Sequence, residues 1–571
     1  MQVSEFHHLR ESTEQLFSIL SKLPQFGREH WVIHYSRTFD SISKLWRLQQ
    51  KERQTLVEAG VLQRSTIGAI ASRVGQVYYH YYTRTCDLYY LQQAGLFYEA
   101  IRTRQYFRDS FSSDQESANR TLRYYVRYIV VSLLLGYSRP SILALLSEFS
   151  SCVESYLKEY AGKDDTDWSF LVREVSRFVE SIYLLDITNN SNSPLSFAPR
   201  LPLYWIESTY PYVTPRRYSV ADSPRPESLS PPLPTPVASV SFFSDGFGTL
   251  TSRSLGLRLR DVLIVGSKVQ PKVSELSLDM YRMTTTIERR PEDHNQINQP
   301  VNNDLTKVDV PLAKYLLFRP SIGLFLTGLS TSFDELPSNG VLLAYISADN
   351  HSIRTQSNLI GDDSISVVDC LKFDCESSST DSLFPSDLIP FTRKNLCLII
   401  ESPCAHSFAS LAPRVGNHLG LILSPQKIPT NISIKLQNSL LTSFLYSPAL
   451  SFVALAFGDV SIDHQKLKSV DIVISNSLGE IARLMTSSFE LHDTIYQFFD
   501  DDYLRILILR AMFCRRALLS VLGNDLGEEF LPLIKPGVPD HVWESNIWTK
   551  LFADVLNLLR EEEDVLDDLD D

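Results

Sequence analysis

The chain has 571 residues, of which 44% are hydrophobic and 11% aromatic, enough for a large buried core and too apolar for a wholly disordered protein. Its formal net charge of −13 argues against a general nucleic-acid binder, whose affinity rests on neutralising phosphates. Seven cysteines without a CxxC pair argue against a disulfide framework and for a reducing compartment.

The opening MQVSEFHHLRESTEQ lacks the basic and apolar regions of a secretory signal, and no uncharged run of about 18 apolar residues suggests a membrane span. From there the pattern is helical. Phe6, Leu9, Leu16 and Leu20 form one apolar stripe, and Tyr35, Phe39, Ile42 and Trp46 the next. Ile67 to Tyr81, Leu122 to Leu133, Ile142 to Tyr156 and Trp168 to Ile182 repeat at three and four residues, with Asp167 placed to cap the last. With a further helix over 88–104, the spacing predicts seven helices joined by short polar turns, which pack as antiparallel neighbours. In YLQQAGLFYEAIRTRQYF, small Ala and Gly sit between large aromatics, as in tetratricopeptide helices, although no 34-residue repeat is evident.

Between Pro194 and Pro236 lie eleven prolines among many serines. Proline lacks a backbone donor and continues neither helix nor central strand, so this stretch reads as a linker. Its five Ser/Thr-Pro dipeptides suit proline-directed phosphorylation or a plain spacer.

The period then shortens. DVLIVG (261–266), GVLLAYIS (340–347), NLCLIIE (395–401) and HLGLILS (418–424) are apolar runs flanked by turn residues, as buried parallel strands are. Helical patterns over 274–290 and from Ile322 to Phe333 alternate with them, which predicts an α/β sheet. Two polar inserts, 291–308 and 350–390, read as surface loops, the second with room for one irregular strand. Helix returns at 440–457, with an interruption at Pro448, at Leu467 to Met485, at 500–516 and at Trp548 to Leu558. The expected fold is thus α and α/β: an all-helical bundle or solenoid with tetratricopeptide-like packing over 1–186, a Pro/Ser-rich linker over 187–256, and a mostly parallel α/β sheet domain over 257–435. A helical part over 436–560 packs on that sheet domain, and an acidic tail over 561–571 follows, in which eight of eleven residues are Asp or Glu.

Chemistry is hard to find. Neither GxxxxGK[ST] nor GxGxxG follows the first strand, and the chain lacks HExxH and a GxSxG elbow. Strand ends in an open α/β sheet still form a crevice, here offering Gly266, Ser267, Ser347, Asp349, Glu401, Ser402 and Ser424. Asp349 and Glu401 could hold Mg²⁺ or act as a base, but acidic residues commonly end strands as turn formers or caps. The expectation is a protein that is not an enzyme, with no cofactor and no metal. The alternative is an enzyme or nucleotide-sensing module using that crevice.

One surface stands out in the helical part. Arg102, Arg104, Tyr106, Phe107 and Arg108 precede Arg120, Arg123, Tyr124, Tyr125, Arg127 and Tyr128. Arg beside Tyr is favoured at protein interfaces and also suits single-stranded nucleic acid; the plain reading is a solvated face over an aromatic core. The candidate partner-binding residues are Arg102, Arg104, Tyr106, Arg123, Tyr124 and Arg127, with a protein partner preferred and no direct nucleic-acid or membrane binding expected.

Several segments in order resemble the SCAI (suppressor of cancer cell invasion) family. In the first part they are LPQFGREHW (23–31), RTFDSISKLWRLQQKERQ (37–54), IASRVGQVYYHYYTRT (70–85), FYEAIRTRQYF (97–107) and LRYYVRYIVVSLLL (122–135). Further on they are RDVLIVGS (260–267), SELSLDMYRM (274–283), KYLLFRPS (314–321), ELPSNGVLLAYISA (335–348), PFTRKNLCLIIES (390–402) and FFDDDYLRILILRAMFCR (498–515). They span nearly the whole chain collinearly, and the chain departs from the family in its linker and in the loop before PFTRK. The resemblance implies a nuclear transcriptional cofactor, co-repressor-like, with the cytoplasm as a second location. It further implies partners among transcription regulators of the myocardin-related coactivator type, and links to cell migration and chromosome-break repair.

Overall fold

A computed structural model describes residues 2–185, 256–288 and 312–560, apart from 21–22, 24–27, 86, 109–114, 161–167, 357–364, 374–381, 415, 430–431, 433–435, 437–438 and 459–461. The Pro/Ser-rich stretch (except Gly256), the insert 291–308, the cap Asp167 and the acidic residues 561–571 lie outside the described residues.

The first part is helical throughout: α1 (Gln2–Leu20), α2 (Arg28–Lys51), α3 (Arg53–Glu58), α4 (Arg64–Thr85), α5 (Leu88–Thr103), α6 (Gln115–Leu134), α7 (Arg139–Tyr160) and α8 (Trp168–Leu185). On α4 and α7 the stripes expected from the period are the buried ones, Ile67, Ile70, Val74 and Val77, and Ile142, Leu145, Phe149 and Val153, whereas on α1 Phe17 is buried in place of Leu16. Short α3 is the one helix the spacing did not signal. Gly75 explains how α4 and α5 approach: a Cβ there would lie 2.7 Å from the Tyr98 ring.

The second part is an α/β sheet. Its six strands run in the order β11-β10-β9-β5-β1-β4, namely β11 (Leu533–Lys535), β10 (Leu419–Leu423), β9 (Leu396–Glu401), β5 (Gly340–Ser347), β1 (Arg258–Gly266) and β4 (Ala313–Phe318). All pairings are parallel except β10 with β11. The four expected strands are central and buried on both faces, which is why they read as apolar runs. The two edges were not expected: β4 carries Lys314 and Tyr315 among its apolar residues, and β11 is only three residues long.

Two sequence expectations need correction. The pattern over 274–290 is not helical from its start. Residues 272–277 form a hairpin, β2 (Lys272–Val273) with β3 (Leu276–Ser277), before α9 (Leu278–Glu288). The insert 350–390 is more than loop. Strands β6 (Asp349–Gln356), β7 (Ile365–Lys372) and β8 (Ser382–Leu383) make a separate antiparallel sheet, followed by α11 (Pro385–Leu388).

Helix α10 (Ile322–Glu335) joins β4 to β5. After β10 come α12 (Leu440–Tyr446) and α13 (Pro448–Phe457), split at Pro448 as expected. Next are α14 (His464–Ser487), α15 (Asp493–Phe498), α16 (Asp502–Leu522), α17 (Asp540–Trp543) and α18 (Asn546–Arg560). Helix α16 is the spine of this part, with Leu504, Leu507, Ile508 and Phe513 buried, and one apolar core runs from the helical part through one face of the sheet to α18.

Candidate partner-binding face and strand-end crevice

In the parallel part of the sheet, β1 lies between the next strand in the chain, β4, and the one after, β5. Where strand order reverses in this way, the strands' carboxyl ends open a crevice. The register brings Gly266 opposite Ser347, and Ser347 opposite Glu401, so the residues expected there do converge.

The crevice is filled from inside. Ser267 N and Lys268 N both donate to the Ser347 carbonyl, at 2.8 and 3.0 Å, and Val269 N donates to Asp349 Oδ2 at 2.9 Å. Three successive amides of the loop after β1 therefore already have acceptors, where a phosphate-binding loop leaves them free. Asp279, on the first turn of α9 and fully buried, occupies the reversal point. Its Oδ2 accepts from Ser347 Oγ (2.7 Å), Ser439 Oγ (2.8 Å) and Gln270 Nε2 (2.7 Å), while Oδ1 pairs with Arg282 at 3.2 Å. Glu401 stands at the N-terminus of α12, where Thr442 N and Thr442 Oγ1 donate to its Oε2 at 2.7 and 2.8 Å. A helix N-terminus attracts an anion, and here the chain supplies its own carboxyl. Burial pushes the Glu401 carboxyl above its ordinary value, against Lys268, which favours the charged form. Ser402 and Ser424 satisfy each other: Ser402 N donates to Ser424 Oγ, which donates to Ser402 O, both at 2.9 Å. Among the described residues no group of three or more His, Cys, Asp or Glu is placed to hold a metal ion.

The sequence missed Asp279, Ser439 and Thr442, because they come from segments between the strands. An acidic residue opening a helix was the only signal for Asp279.

The Arg/Tyr set divides into four groups. Tyr106 and Tyr124 are buried; Tyr124 OH donates to Tyr98 O at 3.0 Å, and burial raises its phenol well above the ordinary value. Arg102 is held by Glu148, at 2.7 Å from Nη2, on which Tyr125 OH also converges at 3.3 Å. Arg104 and Arg123 are exposed, and so are Arg64 and Arg108. Arg64 Nη2 donates to Arg104 O at 2.9 Å, Arg104 Nη1 donates to Tyr106 OH at 3.1 Å, and the Phe107 ring lies 5.4 Å from that of Tyr124.

Arg127 turns the other way, into the junction with the sheet. Its Nη2 and Nε donate to Glu275 Oε1 at 2.6 and 3.1 Å, with His80 at 3.8 Å from the same oxygen. Burial at the junction would raise the Glu275 carboxyl, but Arg127 and His80 hold it well below the ordinary carboxylate range. Tyr79 OH donates to Ser274 O at 3.1 Å, so the hairpin tip is gripped twice. Tyr82 bonds Glu288, which also pairs with buried Lys314. Glu174 of α8 lies 3.7 Å from Arg282, whose other nitrogen pairs with Asp279. Phe178 packs on Tyr281 with ring centroids 4.5 Å apart. The helical part is thus tied by ion pairs to the residues that fill the crevice.

The architecture is thus a helical bundle docked on an α/β sheet, with the sheet's crevice closed by its own side chains and arginines left on an outer face. A family model described as Protein SCAI matches residues 8–521, and the chain belongs to the SCAI family. Protein SCAI of Homo sapiens is 32% identical over 538 residues, covering 90% of this chain and 81% of that protein, and Protein SCAI of Mus musculus gives the same figures. The Protein SCAI homolog of Dictyostelium discoideum is 27% identical over 676 aligned positions, covering 90% and 84%. Family membership supports a general non-enzymatic scaffold role.

Proposed function

We propose that the protein is a nuclear, co-repressor-like scaffold that captures a transcription regulator on the exposed arginine edge of its helical part. The observation that carries this reading is the set of exposed arginines Arg64, Arg104, Arg108 and Arg123, with Phe107 beside Arg108 and Tyr124 beside Arg123 in the chain. Guanidinium groups beside aromatic rings make strong interface anchors, because Arg pairs with carboxylates in fixed geometry and stacks on rings. An acidic, partly apolar segment of a regulator fits this edge. The family resemblance directs the reading to regulators of the myocardin-related coactivator type, with cell migration and chromosome-break repair as the processes affected. The filled crevice weighs against nucleotide sensing as the main activity, since the amides after β1 already have acceptors.

The test is affinity capture from nuclear extract with the full chain and its Arg104→Ala/Arg123→Ala variant, alongside a reporter assay. Loss of the captured regulator and of repression, with an unchanged unfolding curve, supports the reading. Equal capture by both chains removes the edge from the account. Micromolar ATP, GTP or NAD binding by calorimetry would restore the enzyme alternative.

A further inference from the structure

The chain leaves α18 beside a group of cations that belong to two distant segments. Lys466 Nζ donates to the Leu559 carbonyl at 3.1 Å, one residue before the end of α18 at Arg560. Lys466 lies on the first turn of α14, together with His464, and Lys468 follows on the next. Arg139, the first residue of α7, faces the same turn: burial, and then the Arg139 charge, lower the pKa of His464, with Lys468 adding to the effect. The acid beside His464 is Asp463, and its carboxylate is engaged in capping α14 through Gln465 N at 3.0 Å. Helix α7 carries no acidic residue in its first turn, so its positive end stays uncompensated there, while that of α14 is met by Asp463 alone. Arg139 Nε and His464 Nδ1 are buried atoms without a hydrogen-bond partner among the described residues. A buried donor left unmade is costly, which points to an anion at this place.

The adjoining sequence supplies one. Residues 561–571 read EEEDVLDDLDD, eight acids in eleven residues. They begin two residues after the Leu559 carbonyl that Lys466 contacts, and eleven residues can extend over about 36 Å, so reach is no obstacle. Tethering raises their effective concentration at the patch far above that of any free anion. We propose that residues 561–571 dock on the patch formed by Arg139, His464, Lys466 and Lys468, latching the helical part to the C-terminal helices.

The test uses the full chain. Zero-length carbodiimide coupling, read by mass spectrometry on a mixture of ¹⁵N-labelled and unlabelled protein, should join Lys466 or Lys468 to acids of 561–571 within one chain. Coupling should fall several-fold with Arg139→Gln, and also in about 1 M salt, where the Debye length shrinks to roughly 3 Å. Absence of these couplings overturns the proposal, as does coupling only between differently labelled chains, which would seat a second copy on the patch. A second variant replaces the eight acids by Asn and Gln, leaving every described element unaltered. Hydrogen exchange should then speed up at the first turns of α7 and α14; exchange unchanged at both turns also overturns the proposal.

Discussion

Arg123 and Arg127 stand one turn apart on α6 and do opposite things. Arg123 faces solvent, whereas Arg127 is 16% exposed and bonded to Glu275, a residue 148 positions away. Nothing local separates them. Each follows or precedes a tyrosine, and each belongs to the same basic and aromatic run. What separates them is the surface each meets once the sheet is in place. The crevice and the arginine edge differ in the same way: one has its polar groups turned on each other, the other has them turned outward. Polar residues that look alike in sequence divide into those that hold the two parts together and those left over for a partner.

That contrast can be broken most easily at its buried end. Asp279→Ala removes the acceptor shared by Ser347, Ser439, Gln270 and Arg282, and should destabilise the protein by about 3–5 kcal/mol in urea unfolding, because three buried donors lose their acceptor and Arg282 keeps only the more distant Glu174. A loss below about 1 kcal/mol would mean that water already reaches these groups. Next comes Arg127→Ala, expected at about 2 kcal/mol, since a charge-assisted pair is lost. Adding Glu275→Gln to it should recover part of that loss, as the orphaned carboxylate disappears. The pair also predicts a pH response. Glu275 has a folded pKa below its ordinary 4.5, so its contribution is complete above that value and declines as the pH falls below it. Arg127→Ala should flatten this acid limb.

Asp471 gives the reverse slope. Buried on α14 and only partly offset by Arg510, its carboxyl is pushed from 3.8 up to about 6. The folded state then binds a proton that the unfolded state has already lost, so stability falls as pH rises from about 4 to about 6 and levels off above. Asp471→Asn should remove that fall, which urea midpoints at pH 4 and pH 7.5 would reveal. The smallest effect on folding belongs to the edge: Arg104→Ala/Arg123→Ala should shift stability by no more than about 0.5 kcal/mol, however large its effect on capture.

Much of the fold was legible because its signals are periodic. Helices α4, α7 and α8 announce themselves through apolar spacing, and β5 and β9 through runs that only a doubly covered strand tolerates. Strand β4 was not legible, because Lys314 breaks its apolar run, and Lys314 is buried only through its pairing with Glu288. The crevice was half legible. Strand ends can be read from sequence, but the residues that fill it, Asp279 and Thr442, arrive on connecting helices whose placement only the three-dimensional packing decides. For the same reason, the arginines were recognisable as a set while their division was not.

The hairpin tip carries a last consequence. One common two-residue connection between paired strands, the type I′ turn, puts both residues at positive φ, and Asn-Gly is its usual solution. Here Ser274 and Glu275 take φ values of +51° and +66°, a conformation that side chains of this kind adopt reluctantly. Tyr79 and Arg127 hold the tip in that shape from outside. During synthesis the helical part leaves the ribosome before the hairpin does. The two residues that grip the tip thus lie earlier in the chain than the hairpin, so the contacts that hold this reluctant turn are available as soon as the two parts meet.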